Sequence, residues 1–173
     1  MKTIQNLYRR DTTRVSWHSY NGGLYFVTIC TKNKIHYFGH IDYNPNLGNN
    51  QMSLSPLGQY MTNTIIQTNT IREKQGISIP IFTVMPNHIH LLVQISSDAD
   101  TSIPNHFGTQ SNNLASTIRG IKSTVTSHAK KFNLPFAWQP NYHEHIIRDQ
   151  TELNLISTYI ESNIANWNTD CYH

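Results

Sequence analysis

The apolar residues of this chain recur in two patterns, and the first of them predicts strands. Residues 24–31 (LYFVTICT) and residues 79–84 are apolar or β-branched almost throughout, and a further run extends from 88 to 95. Content of this kind is typical of strands, and the unbroken apolar run at 24–31 favours a central strand that is buried on both faces. Residues 142–148 (YHEHIIR) are predicted to form a fourth strand.

The second pattern repeats apolar residues at helical spacing, and it predicts helices over residues 55–74, 113–132 and 149 to about 167. In the first of these helices Ser55 can act as the cap, and Pro56 suits the opening turn. At the start of the last helix, Asp149 and Glu152 form a pair that resembles a capping box, with Asp in place of Ser or Thr.

Two polar segments, residues 42–53 and 96–112, are predicted to be loops from their composition. The predicted order is then strand, helix, strand, strand, helix, strand, helix. This order matches the α+β class and a ferredoxin-like, split βαβ antiparallel sheet with helices on one face, plus a C-terminal helix. In that arrangement the first strand and the second strand of the middle hairpin are expected at the centre of the sheet.

Composition and charge limit the possible classes of function but do not identify one. At 173 residues the chain is expected to form one domain over residues 21–173, preceded by a polar arm at residues 1–20. The net charge of +3 and the pI near 8.9 permit an anionic partner. The two cysteines indicate no disulfide framework. The absence of a long apolar run and of a signal-peptide core predicts a cytoplasmic protein without a membrane partner.

The hairpin around residues 84–93 (VMPNHIHLLV) carries the first candidate chemistry. Because side chains alternate between the two faces of a strand, His88 and His90 lie on one face, about 6.6 Å apart along the chain. At that spacing they could bind one divalent cation. The alternative is that both histidines simply lie on a half-exposed sheet face. A second His-x-His pair, His143 and His145, shows that spacing alone does not identify a metal site.

The last predicted helix carries Tyr159 and Asn163, which project from one face because they are four residues apart. They could simply pack against the sheet, or they could supply a nucleophile and a metal ligand. A tyrosine that attacks a phosphodiester needs positive charge on the phosphate oxygens and help with losing its proton. Imidazole ligands usually bind Zn, Fe, Ni or Cu, so Mg²⁺ or Mn²⁺ would bind weakly until a DNA phosphate completes the shell.

A basic flank lies beside the apolar stripe of the helix predicted over residues 113–132. Arg119, Lys122 and Lys130 fall on this arc together with Thr126. Such a flank is either a solvated face or a ridge that contacts phosphates.

Taken together, three motifs resemble one protein family. They are the strand YFVTICT at residues 25–31, the hairpin MPNHIHL at 85–91, and the block that runs from Trp138-Gln139 through HIIRD to YIESN at 159–163. In this order they resemble the single-tyrosine transposases of small bacterial insertion sequences, in particular the REP-associated branch. The resemblance covers roughly residues 24–167 and implies an HUH endonuclease that acts on single-stranded DNA.

The resemblance also implies residue roles. His88 and His90 match the two metal-binding histidines, Tyr159 matches the nucleophile that forms a covalent 5′-phosphotyrosine link, and Asn163 matches the third ligand of a Mg²⁺ or Mn²⁺ ion. Contacts to a DNA hairpin are expected from Arg119, Lys122, Lys130, Arg148 and His145, and a homodimer is expected. Where the family usually has Asn-Pro, this chain has Ile164 after Asn163, so the helix is expected to continue.

Other functions fit the sequence less well. A histidine-triad nucleotide hydrolase needs a third histidine where this chain has Leu92. A non-catalytic DNA-hairpin-binding protein on the same fold remains the main alternative, and a structural or regulatory domain without a DNA role is a further one.

Overall fold

The computed structural model describes residues 23–96 and 113–172. Strands and helices follow one another as β1 (Gly23–Cys30), β2 (Gly39–Asn44), β3 (Asn49–Leu54), α1 (Pro56–Glu73), β4 (Ile77–Val84), β5 (His88–Ile95), α2 (Leu114–Lys131), β6 (His143–Ile147) and α3 (Gln150–Ser162). The predicted arm at residues 1–20 and most of the predicted loop at 96–112 lie outside the described residues, so the division of the chain stays a prediction.

Four strands form one antiparallel sheet in the order β4-β5-β1-β6, so β5 and β1 are central, as predicted. The register aligns side chains across the sheet. Thr28 pairs with His90 on one side and with His143 on the other. Because directly paired residues lie on the same face, these three side chains form one row. This row lies on the face where the candidate chemistry is found.

The two faces of the sheet bury different helices. One face packs against α1 and α2 in the larger core, to which the helices contribute mainly Leu57, Met61, Ile65, Leu114, Ile118, Ile121, Val125 and Ala129. The other face packs against α3 in a smaller core of Phe26, Leu92, Ile147, Ile156 and Ile160. Residues 26 and 92 alternate with those of the larger core along their strands, which places α3 opposite α1 and α2. The mixed α+β architecture with a C-terminal helix agrees with the predicted fold class.

The ends of α3 were only partly predicted. Asp149 caps the helix by accepting a hydrogen bond from the Glu152 amide, at 2.8 Å. The expected extension to about residue 167 is wrong, because the helix ends at Ser162 with Asn163 as its C-cap. Beyond it, a short 3₁₀ turn over Trp167–Thr169 places the buried Trp167 ring against His88. The chain therefore leaves the helical path between Ser162 and this buried ring.

The predicted loop at residues 42–53 is instead the β2–β3 hairpin, which pairs from Gly39 with Leu54 to Asn44 with Asn49. The Pro and Gly residues that suggested a loop form its turn, where Gly48 has a φ of +66°. Its strands alternate exposed polar side chains with partly buried ones, so their weak apolar signal was hidden by the turn composition. Within the described residues, no helix is long and apolar enough to cross a membrane.

Candidate active site

Two buried histidines on the central strand β5 form the middle of the candidate site. His88 and His90 are both 0% exposed, and their Nε2 atoms lie 3.0 Å apart. They share a face because alternate residues of a strand do so, while Ile89, between them, enters the larger core. The pair is therefore held by a strand that is hydrogen-bonded on both sides.

Neighbouring side chains orient both imidazole rings. The Asn87 amide donates through Nδ2 to the Tyr172 carbonyl at 2.9 Å, which leaves Oδ1 facing His88 Nδ1 at 2.7 Å. Because Oδ1 can only accept, Nδ1 of His88 carries the proton and Nε2 offers its lone pair. His90 Nδ1 lies 2.9 Å from Thr28 Oγ1. Outer contacts of this kind are typical of histidines that bind metals.

Asp170 joins the pair from the segment that follows α3. Its Oδ2 atom lies 3.3 Å from His88 Nε2 and is buried without a hydrogen bond. Ligand atoms of His88, His90 and Asp170 all lie within 4.8 Å of one another. Asp170 was not among the candidates predicted from the sequence; the one available signal was that two aromatic residues, Trp167 and Tyr172, flank it.

The charges of this group favour a cation. Burial lowers the pKa of His88 and lowers that of His90 further, so both imidazoles are neutral at pH 7. Burial raises the pKa of Asp170, but the Tyr172 amide donates to the other Asp170 oxygen at 2.8 Å and helps to hold the pKa of this carboxyl below its ordinary value, so Asp170 is ionised at pH 7. One carboxylate oxygen and two neutral imidazoles therefore converge with their lone pairs, an arrangement that fits a bound divalent metal ion.

The α3 helix brings Tyr159 to the same place. Its hydroxyl lies 3.4 Å from His90 Nε2. Burial raises the pKa of this phenol above its ordinary value and the charge of Asp170 adds to the effect, whereas a hydrogen bond from the Asn163 side chain opposes it. Asn163 is 2% exposed, and its Oδ1 has no hydrogen-bond partner. The structure thus brings together His88, His90, Tyr159 and Asn163, the four residues selected from the sequence.

Part of the Tyr159 side chain borders a groove. A groove of about 500 Å³ runs along the outer side of α3, and Tyr159 forms part of its wall. The other lining residues carry no charge: Thr151, Asn154, Leu155, Thr158, Ser162 and Asn166. The Tyr159 side chain is therefore partly buried and partly in contact with this groove.

Three of the predicted DNA contacts lie elsewhere. Arg119, Lys122 and Lys130 line a groove of about 480 Å³ along α2, on the helix that packs against the opposite face of the sheet. Lys122 Nζ donates to the Gln139 and Asn141 carbonyls at 2.9 and 2.8 Å, and burial lowers its pKa. The basic groove is therefore a surface separate from the histidine pair.

The two remaining predicted contacts lie at the end of β6. His145 Nε2 is 2.6 Å from Glu152 Oε1, and the backbone amide of Arg148 donates to Glu152 Oε2 at 2.9 Å. The Arg148 side chain is exposed. His143 lies in the same row as His90, and its ring centroid is 6.2 Å from that of Tyr172.

Comparisons with known proteins point to one family. A family model described as IS200-like transposase matches residues 59–163. An uncharacterised protein of Haemophilus influenzae (strain ATCC 51907 / DSM 11121 / KW20 / Rd) is 35% identical over 177 residues, which cover 95% of this chain and 93% of that protein. The fold is similar to that of a REP-associated tyrosine transposase bound to a REP hairpin, with a TM-score of 0.56, 19% identity, and coverage of 87% of this chain and 72% of that one.

Proposed function

This chain belongs to the IS200-like transposase family, and from that membership we propose that it is a metal-dependent single-stranded DNA endonuclease and strand transferase. It would act in DNA transposition or in the mobilisation of repeats, as a member of the REP-associated branch. The observation that carries the proposal is the position of the Tyr159 hydroxyl, 3.4 Å from one of two adjacent buried imidazoles. A tyrosine that only packed would not need such neighbours.

In the proposed reaction the Tyr159 oxygen attacks the phosphorus of a phosphodiester. The new bond joins the tyrosine oxygen to phosphorus, and the bond between phosphorus and the 3′ oxygen breaks. The phenol proton is lost to solvent, and DNA is then held through a 5′-phosphotyrosine link. The 3′ oxygen takes up a proton from solvent, and a 3′-hydroxyl is released. Because burial raises the pKa of this phenol, loss of its proton requires nearby positive charge.

His88 and His90 would hold a divalent metal ion, Mg²⁺ or Mn²⁺, with an oxygen from Asp170 or Asn163 as the third protein ligand. The ion would neutralise charge on the phosphate oxygens. Asp170 is supported as the third ligand because its oxygen lies within 4.8 Å of ligand atoms of both histidines. The unpartnered Asn163 oxygen supports the other assignment, which the family resemblance implies.

We propose that the substrate is DNA with hairpin structure, since the similar solved transposase is bound to a REP hairpin. Arg119, Lys130 and Arg148 are exposed cations that could contact phosphates, and Lys122 and His145 would contribute less because each already has a partner within the protein. The protein would act in the cytoplasm, as a homodimer.

Hairpin oligonucleotides with single-stranded flanks, incubated with the protein and Mn²⁺ or Mg²⁺, test the proposal. We expect a covalent protein–DNA adduct that withstands denaturation and is absent from Tyr159→Phe. Tyr43→Phe, at a tyrosine that is 65% exposed, is the matched control and is expected to retain the adduct. Hairpin binding by the wild type without an adduct would contradict catalysis and favour the non-catalytic DNA-hairpin-binding alternative.

A further inference from the structure

The helix that carries Tyr159 is attached to the sheet by a small apolar contact. Ile156 and Ile160 of α3 are fully buried, and they pack against Phe26, Leu92 and Ile147. Such contacts favour burial of the helix but are non-directional. They do not by themselves define how far α3 slides or rotates over the sheet. The position of the phenol must therefore depend on more directional interactions.

The first directional interaction lies at the start of the helix. Glu152 projects back to β6, where one carboxylate oxygen lies 2.6 Å from His145 Nε2 and the other accepts the Arg148 amide at 2.9 Å. Only 20% of the Glu152 side chain and 25% of the His145 side chain are exposed. Short hydrogen bonds to a carboxylate that is largely shielded from water are among the stronger polar contacts in proteins.

The second interaction lies at the other end, beside the phenol. Thr83 on β4 donates its hydroxyl to the Ile160 carbonyl at 2.6 Å and is 8% exposed. This carbonyl is among the last four of the helix, which have no partner within the helix itself. Thr83 is also the direct strand partner of His90. One hydroxyl therefore links the residue after Tyr159 to the strand position beside the catalytic imidazole.

We propose that Glu152 and Thr83 are positioning residues, and that their two hydrogen bonds between elements hold the Tyr159 hydroxyl at its reacting distance from His90. The anchor points, Glu152 and the Ile160 carbonyl, are eight residues apart, about 12 Å along the helix. Two hydrogen bonds at that separation restrain both the sliding and the rotation of α3, whereas a single hydrogen bond cannot restrain both. This inference rests on the proposed function.

The consequence for catalysis follows from geometry. A displacement of about 1 Å away from the reacting atoms can reduce a rate about 100-fold. Neither hydrogen bond lies in the α2 groove, and Glu152 binds Arg148 through its backbone amide and not through its guanidinium, so DNA affinity is expected to change much less than the rate. We therefore expect loss of either hydrogen bond to slow the chemical step without a matching loss of DNA binding.

The test compares Glu152→Leu, Glu152→Gln and Thr83→Val with two controls. Glu161→Leu removes an exposed carboxylate from the same helix. Thr70→Val removes a hydroxyl that bonds the Ile66 carbonyl within its own helix. Adduct formation is measured in single turnover at saturating hairpin oligonucleotide and Mn²⁺, hairpin affinity is measured separately, and hydrogen exchange of the amides of residues 156–162 is followed without DNA.

We expect Glu152→Leu and Thr83→Val to slow adduct formation about 10- to 100-fold, with Kd within about 3-fold of the wild type. Glu152→Gln keeps an acceptor for His145 and is expected to recover part of the rate. Hydrogen exchange of the amides of residues 156–162 is expected to accelerate in Glu152→Leu and Thr83→Val. It is expected to stay unchanged in the Glu161→Leu and Thr70→Val controls.

An unchanged adduct rate in Glu152→Leu and Thr83→Val would overturn the proposal, as would equal losses of rate and affinity or an equal effect of the controls. If the wild type formed no adduct, the proposed function would fail, and hydrogen exchange would still decide whether the two hydrogen bonds hold α3 in place. Unchanged exchange in Glu152→Leu and Thr83→Val would then show that they do not.

Discussion

Burial of two neutral histidines predicts that the protein loses stability as the pH falls. The pKa values of His88 and His90 are lowered by burial in the folded state, whereas in the unfolded chain a histidine has a pKa near 6.5. Below about pH 6.5 the unfolded chain binds more protons than the folded one, and acid therefore favours unfolding. Stability is expected to rise with pH up to this value and then to level off.

The size of the effect follows from proton linkage. A histidine that stays neutral in the folded state costs up to about 1.4 kcal/mol for each pH unit below 6.5. Between pH 6.5 and 5.5 the loss is about 1 kcal/mol per histidine, because the unfolded histidine is already half protonated at the upper end. The pair would therefore lower the free energy of unfolding by up to about 2 kcal/mol, equivalent to at most roughly 4–8 °C in Tm for a chain of this size.

Urea unfolding followed by circular dichroism, in EDTA and at several pH values between 5.5 and 7.5, measures this dependence. His90→Gln removes one of the two groups and is expected to halve the part of the slope that the pair contributes. His40→Gln, at a histidine whose side chain is 67% exposed, is the matched control and is expected to keep the wild-type slope. Equal slopes in the wild type and His90→Gln would refute this account of the buried pair.

Three further predictions concern the site and the basic groove. His88→Ala or His90→Ala is expected to abolish adduct formation while hairpin binding survives; loss of binding in a folded variant, seen by gel shift, would contradict this separation of roles. Asp170→Ala is expected to raise the Mn²⁺ concentration needed for half-maximal adduct by about 10- to 100-fold, whereas an unchanged requirement would exclude Asp170 as a ligand. Arg119→Ala is expected to weaken hairpin binding and to reduce the slope of log affinity against log salt concentration by about 1. Lys122→Ala is expected to lower Tm more than hairpin affinity, because Lys122 donates to two backbone carbonyls. A larger loss of affinity in Lys122→Ala than in Arg119→Ala would contradict these roles.

Local periodicity was sufficient to pair the candidate residues, but the family resemblance was needed to choose these pairs as a site. Alternation along one strand placed His88 beside His90, and four-residue spacing on one helix placed Tyr159 beside Asn163; both pairs meet in the structure. The approach of the tyrosine to the histidines came from the family resemblance, since spacing says nothing about residues that are 69 positions apart.

The remaining features depend on contacts that no local pattern encodes. An apolar stripe shows that α3 has a buried face, but it does not tell which face of the sheet covers it. Asp170 reaches His88 through the segment after Asn163, which includes the buried Trp167. A single carboxylate in such a segment belongs to no repeating pattern, so periodicity cannot identify it. The β2–β3 hairpin was missed because its alternation is weak and its turn composition dominates the segment.

The central position of β5 implies an order in which the site comes apart. Its imidazoles can be released only by breaking hydrogen bonds to two neighbouring strands, whereas the phenol can be withdrawn by lifting a single short helix from a small core. In mild denaturant, cleavage of DNA should therefore fail while the two imidazoles still lie side by side. Partly inactivated protein would keep this histidine pair after it had lost the phenol and the neighbouring Asn163, so an intact sheet would not be evidence of an intact enzyme.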